Sequence, residues 1–264
     1  MGIIADSIDT VIPFLLEGTG LDSWGFATLC GVSFFGSFIT ASMGIGGGGL
    51  VLATMALFLP PPVLIPLHGV VQLGSNIGRT ALMARDVFIE VVPMFLIGTL
   101  LGALLGGQLV VSLPITLLQT VLAFFILYSA WAPHFKAKRP TNRTFFFVGA
   151  IGTFLTMFIG ATGPLVAPFV AAACDKRRQV VATHAMLMSI QHGLKIIAFG
   201  YLGFSFGPYV PLLIGLFVFG FVGTFVGKLV LNRLPEKMFR TGLKVILTML
   251  ALRLLYGAAN SFQA

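Results

Sequence analysis

The stretch SMGIGGGGLVLA, residues 42–53, packs five glycines into six positions between two apolar runs and satisfies the dinucleotide fingerprint G-x-G-x-x-G. As a phosphate cradle it would need a strand before it and an acidic residue about 20 positions further on to hold a ribose. An apolar helical pattern precedes it instead, and no Asp or Glu stands at that distance. The glycines therefore read as a break between two apolar helices.

The chain around them is that of a membrane protein. Of 264 residues, 57% are hydrophobic and 9% charged, where soluble domains carry about a quarter charged residues. Apolar stretches recur from Trp24 onward, several longer than the roughly 18 residues a spanning helix needs. The first 23 residues hold Asp6, Asp9, Glu17 and Asp22 and lack the basic n-region of a cleavable signal peptide, so 1–23 reads as an acidic lead-in. Cys30 and Cys174 match no metal spacing. The net charge of +8 sits in short loops between apolar segments, a distribution that sets membrane topology and argues against nucleic acid as a partner.

The chain also repeats itself. At an offset of 116, Gly36 aligns with Gly152, Thr40 with Thr156, Gly44 with Gly160, Gly47 with Gly163, His68 with His184, Asn76 with His192 and Arg79 with Lys195. The offset then becomes 121 and pairs Gly102 with Gly223, Gly106 with Gly227, and Leu113-Pro114 with Leu234-Pro235; the five extra residues fall in the loop GYLGFSFGPY. A first membrane repeat at 24–135 and a second at 144–264 thus flank a basic linker at 136–143, an arrangement common in transporters.

Each repeat holds five segments, in the first about 24–43, 49–60, 63–84, 88–111 and 115–134. The second segment, some 12 residues at 1.5 Å each, reaches only about 18 Å, too short for a hydrocarbon core of about 30 Å. Its counterpart, Pro164 to Ala173, is as short. If each broken pair returns to the face it came from, every repeat crosses three times and the second is inverted. The loops with Arg85, with Lys136, Lys138, Arg139 and Arg143, with Lys176, Arg177 and Arg178, and with Arg233 and Lys237 then share one side. The positive-inside rule makes that side cytoplasmic and both termini periplasmic. The expected fold is an all-α polytopic membrane protein of two inverted-topology repeats, each a Gly-tipped re-entrant or broken helix pair plus three spanning helices.

In that fold the tips GIGGGG and GATGP meet inside the membrane, where irregular backbone must be buried in protein or line a wet cavity. The short helices beyond them begin with unpaired N–H groups and a partial positive charge, which suits an anion. The expected donors are Gly46, Gly47, Gly48 and Gly49 at the first tip, with Thr162 and Gly163 at the second. The bland alternative is that these glycines only let helices pack closely. Gly98, Gly102 and Gly106, with Gly223 and Gly227, are better placed as helix packing or a dimer face.

Two polar stripes support the anion reading. His68, Gln72, Ser75 and Arg79 fall within about 60° on a helix, with Asn76 at the edge; the second stripe is His184, Gln191, His192 and Lys195. Neither carries an Asp or Glu to pair with Arg79 or Lys195, and unpaired intramembrane charge is costly. The missing counter-charge is then a bound anion. The competing expectation is that both cations snorkel to the interfaces and the histidines bond backbone carbonyls. His68 and His184 are the expected proton carriers, since histidine titrates near neutral pH. The motif GFSFG at 203–207 satisfies G-x-S-x-G but has no strand before it and no acidic residue after it on the same face, so it reads as a loop.

GIGGGG, the weaker copy GATGP, a repeated membrane chain of this length and a basic central loop together resemble the TauE/SafE sulfite exporter family over about residues 24–257. The resemblance implies a bacterial inner-membrane carrier of sulfite, sulfoacetate or another sulfonate. Thr162 and Pro164 stand where the second copy often has glycine, so strict symmetry of the site is not expected. The resulting expectation is a proton-coupled secondary transporter with no cofactor, whose partners are a small anion, the lipid bilayer and a second copy of the chain. A passive anion channel is the nearest alternative. A membrane-embedded enzyme would want a metal cluster or an acidic pair, and all eight Asp and Glu lie at segment ends or in loops.

Overall fold

The computed structural model describes residues 16–43, 46–110, 112–131, 139–229 and 236–263. Within them, the helices are α1 (Ser23–Met43), α2 (Gly47–Met55), α3 (Pro61–Leu82), α4 (Val92–Val110), α5 (Ile115–Trp131), α6 (Asn142–Ile159), α7 (Gly163–Ala173), α8 (Arg177–Tyr201), α9 (Val210–Leu229) and α10 (Glu236–Gln263), and among the described residues there is no strand. Asp6, Asp9, Gly44, Lys136, Lys138, Arg233 and the Leu234-Pro235 dipeptide lie outside the described residues.

Five stretches, Ser23–Ser42, Ile89–Val110, Asn142–Ile159, Gly207–Leu229 and Thr241–Asn260, are long and apolar enough to cross a membrane. Their outward faces carry large apolar side chains such as Leu104, Ile214, Phe221 and Met249, all more than half exposed, as a lipid-facing surface requires. The chain is a polytopic helical membrane protein.

Local chemistry sets the ends of these helices. Pro60 stays extended and Pro61 opens α3, where a missing N–H costs nothing. At α6, Thr141 accepts from the Thr144 N–H while the Thr144 hydroxyl accepts from the Thr141 N–H, a reciprocal cap. The same helix ends on Gly160 at φ +74°, and α2 begins after Gly46 at φ +109°, conformations open to glycine and strained for other residues.

α1 and α2 form a hairpin. Gly36, midway along α1, lies against Gly47 and Val51 of α2, and Gly25 near the start of α1 lies against Phe58 just beyond α2. The chain has thus come back to the end of α1 from which it set out. α6 and α7 fold alike, with Phe145 and Val170 in one apolar cluster.

The rest of the packing joins early elements to late ones. Gly98 meets the Phe146 carbonyl, Gly102 the Ala150 carbonyl and Gly106 the Phe154 carbonyl, so α4 and α6 lie side by side in the same sense. α9 tracks α1 likewise, with Gly215 on Phe26 and Cys30, Gly223 on the Phe34 carbonyl and Gly227 on the Phe38 carbonyl. Backbones this close admit no Cβ. The GxxxG glycines serve helix packing within the chain. α3 crosses α8 where Gly69 meets Lys195 and Leu73 meets Gly193, and α5 meets α10 where Trp131 Nε1 donates to Thr248 Oγ1 at 2.8 Å.

Candidate functional site

Each glycine of the first tip has a different surrounding. Gly46 supplies the positive φ. Gly47 is wedged against the Gly36 carbonyl and the Thr40 hydroxyl, where a Cβ would overlap both. Gly48 turns its carbonyl to His68 and lies against the Gln72 amide, whereas a Cβ on Gly49 would meet nothing within 4 Å. The close-packing explanation therefore holds for Gly47 and in part for Gly48, and not for Gly49, whose N–H donates to the Gly46 carbonyl at 3.2 Å.

His68 joins the two hairpins. Its Nε2 is 3.0 Å from the Gly48 carbonyl and its Nδ1 3.1 Å from the Gly160 carbonyl. Both partners can only accept, and a neutral imidazole has a single N–H, so only the imidazolium satisfies both at once. The Gly160 carbonyl also accepts from Lys195 Nζ at 2.8 Å. One glycine at the end of α6 thereby anchors side chains from α3 and α8.

Around the second tip, Gln191 Nε2 donates to Thr162 Oγ1 at 2.6 Å, and His184 Nε2 lies 3.1 Å from the Gly163 carbonyl. His192 stacks edge-on to His68 with ring centroids 6.1 Å apart. Gln191 Oε1 and His192 Nδ1 are buried without a hydrogen-bond partner among the described residues, as are the hydroxyls of Thr99, Thr153 and Thr156. Buried polar atoms are rarely left so.

The first stripe closes on itself. Arg79 donates to Asn76 Oδ1 at 2.6 Å and to the Ser75 carbonyl at 3.3 Å, and Asn76 Nδ2 donates to the Gln72 carbonyl at 2.7 Å. Arg79 is 6% exposed and Lys195 0%. Neither snorkels, and each donates here to a neutral oxygen. The expectation that histidines bond backbone carbonyls is met by His68 and His184. The structure thus gathers Gly48, His68, Thr162, Gly163, His184, Gln191, His192 and Lys195 into one buried cluster. Gln72, Ser75, Asn76 and Arg79 run along α3 beside it.

Among the described residues no group of three or more His, Cys, Asp and Glu side chains is placed to hold a metal. The GFSFG segment is a loop, turning at Gly203 with φ +90° and packing Phe204 on Phe206. Sequence reasoning overlooked Gly160 as the shared carbonyl and Thr156 as an unengaged hydroxyl. Both were visible in the 116-residue register, paired with Gly44 and Thr40.

The family model described as Sulfite exporter TauE/SafE matches residues 29–254, most of the chain. No curated protein and no solved structure matches it.

Proposed function

The chain belongs to the TauE/SafE sulfite exporter family, and from that premise we propose that it is a secondary transporter exporting a small sulfur oxyanion or organosulfonate across the bacterial inner membrane by alternating access. The observation that carries this reading is the buried cluster in which glycines of both tips and side chains of α3 and α8 meet around His68 and Lys195, with Arg79 buried beside it on α3, and in which both cations have neutral partners among the described residues. Two buried cations in such a setting are best balanced by a bound anion. Counterflow of labelled sulfite or sulfoacetate in proteoliposomes tests it. A carrier accumulates label against unlabelled substrate inside, whereas conductance without counterflow would make the protein a passive channel.

Two repeats of opposite orientation, 24–135 and 144–264, complete the proposal. A hairpin that returns to its own face leaves α3, α4 and α5 as three crossings, an odd number, which puts the second repeat in from the other side. The same-sense pairing of α4 with α6 and of α9 with α1 supports this count. The exposed Arg178, paired with Asp86 at 3.0 Å, belongs to the basic side, and the positive-inside rule makes that side cytoplasmic. A C-terminal alkaline phosphatase fusion is accordingly expected to be active. A C-terminal green fluorescent protein that fluoresces strongly would refute the orientation.

Proton coupling rests on His68, whose two carbonyl contacts can both be made only when it is protonated. Losing the proton would release one of the two hairpins, linking protonation to movement of the tips. His184, at the equivalent place on α8, holds a single carbonyl. His68→Gln is expected to abolish acceleration by an imposed pH gradient while substrate exchange continues, with His184→Gln as its comparison. Gradient-driven transport unchanged in both variants would return these histidines to a structural role.

A further inference from the structure

We propose that the anion is gripped from one repeat only: Thr156, Gln191, His192 and Lys195 contact its oxygens, and the equivalent groups of the first repeat hold the fold. This rests on the anion-carrier reading and gives that site an asymmetry the sequence repeat conceals. The 116-residue register pairs Thr40 with Thr156, Ser75 with Gln191, Asn76 with His192 and Arg79 with Lys195. On the first side, Thr40 Oγ1 donates to the Gly36 carbonyl at 2.8 Å, and both ends of the Asn76 amide are taken, by Arg79 and by the Gln72 carbonyl. On the second, Thr156 Oγ1, Gln191 Oε1 and His192 Nδ1 are buried and unengaged.

Thr156 departs from rule, as Thr99 and Thr153 also do. A threonine inside a helix ordinarily bonds the carbonyl four residues back, as Thr40, Thr80, Thr120 and Thr248 all do. Thr156 does not, although it is 0% exposed. Its position points to the cluster. One turn before it, Gly152 lies against the Gln191 amide and the Thr162 hydroxyl, and one turn after it Gly160 receives Lys195. Gln191, His192 and Lys195 share one face of α8.

The chemistry is that of an oxyanion headgroup. Lys195 keeps two N–H groups beyond the one on Gly160, His192 Nδ1 can carry a proton, and the Thr156 hydroxyl donates. Turning the Gln191 amide over lets Thr162 donate to its oxygen and leaves the NH₂ toward the ligand. Three neutral donors and one ammonium suit the three oxygens of a sulfonate or sulfite.

The test is calorimetry on the full-length purified protein with sulfite, sulfoacetate and taurine, followed by the tightest of them. Thr156→Val is expected to weaken binding about 3- to 10-fold without lowering the melting temperature, since the methyl replaces a hydroxyl that has no hydrogen-bond partner among the described residues. Gln191→Leu is expected to weaken binding similarly, and Thr40→Val to leave affinity within about twofold. Wild-type affinity in both Thr156→Val and Gln191→Leu, or an equal loss in Thr40→Val, overturns the assignment while the carrier reading stands. Wild-type protein that binds none of the three anions overturns both.

Discussion

Gly47→Ala is expected to eliminate folded protein, while the same change two residues on, at Gly49, leaves folding intact. A Cβ at Gly47 would collide with the Gly36 carbonyl and lie 2.5 Å from the Thr40 hydroxyl. The first obstacle is backbone at the middle of α1 and cannot rotate away. To admit the methyl, α1 and α2 must separate along the hairpin, pulling the Gly48 carbonyl from His68 and Val51 from its seat on Gly36. Overpacking a dense core typically costs about 1–3 kcal/mol, more where no side chain can yield. A membrane helix pair held by close backbone contact has little other attraction to offset this. Gly49 has the same composition around it in sequence and open space in the structure. Yield and melting temperature of the two variants in detergent decide the matter. A Gly47→Ala protein that purifies and melts like wild type would mean that the hairpin is not packed as described.

Lys195→Gln is expected to cost the most affinity of any single change that leaves the protein folded. The ammonium is fully buried, donates to the Gly160 carbonyl, and has no anionic partner among the described residues. A charge-assisted hydrogen bond contributes roughly 1.5–3 kcal/mol, so its loss weakens binding about 10- to 150-fold. Glutamine keeps an amide donor on a stem one bond shorter and fits the space beside Gly69 that the lysine stem occupies, so folding should survive. Arg79→Gln is expected to weaken binding less. Its guanidinium is held by Asn76 and the Ser75 carbonyl and acts on the anion through its field. Calorimetry on well-folded variants is the measurement. Near wild-type affinity for Lys195→Gln would mean that the ammonium does not touch the anion and would remove it from the grip.

Much of the architecture is written in local pattern. Hydropathy over windows of about 20 residues marks spanning helices because the bilayer thickness is the same wherever the chain crosses it. The short second segment, expected at about 49–60, is the helix Gly47–Met55, and its counterpart, expected from Pro164 to Ala173, is Gly163–Ala173. Glycine runs and proline pairs announce their breaks because φ preference belongs to the residue itself. The polar stripes of α3 and α8 follow from helical period alone.

What each polar group does there was decided by the tertiary structure. GIGGGG contains one glycine that packs, one that presents a carbonyl and one that faces open space, and nothing in the six letters separates them. His68 bonds a glycine 92 residues away, and Gly98 is a packing residue only because α6 lies on α4. Thr40 and Thr156 are the same residue in the same register, yet one hydroxyl is engaged and the other is not. Hydropathy, φ preference and helical period are properties of neighbours along the chain, so the sequence carries them outright. Hydrogen-bond partners and the space available to a Cβ are properties of neighbours in space, and these exist only after helices distant in the chain have been brought together.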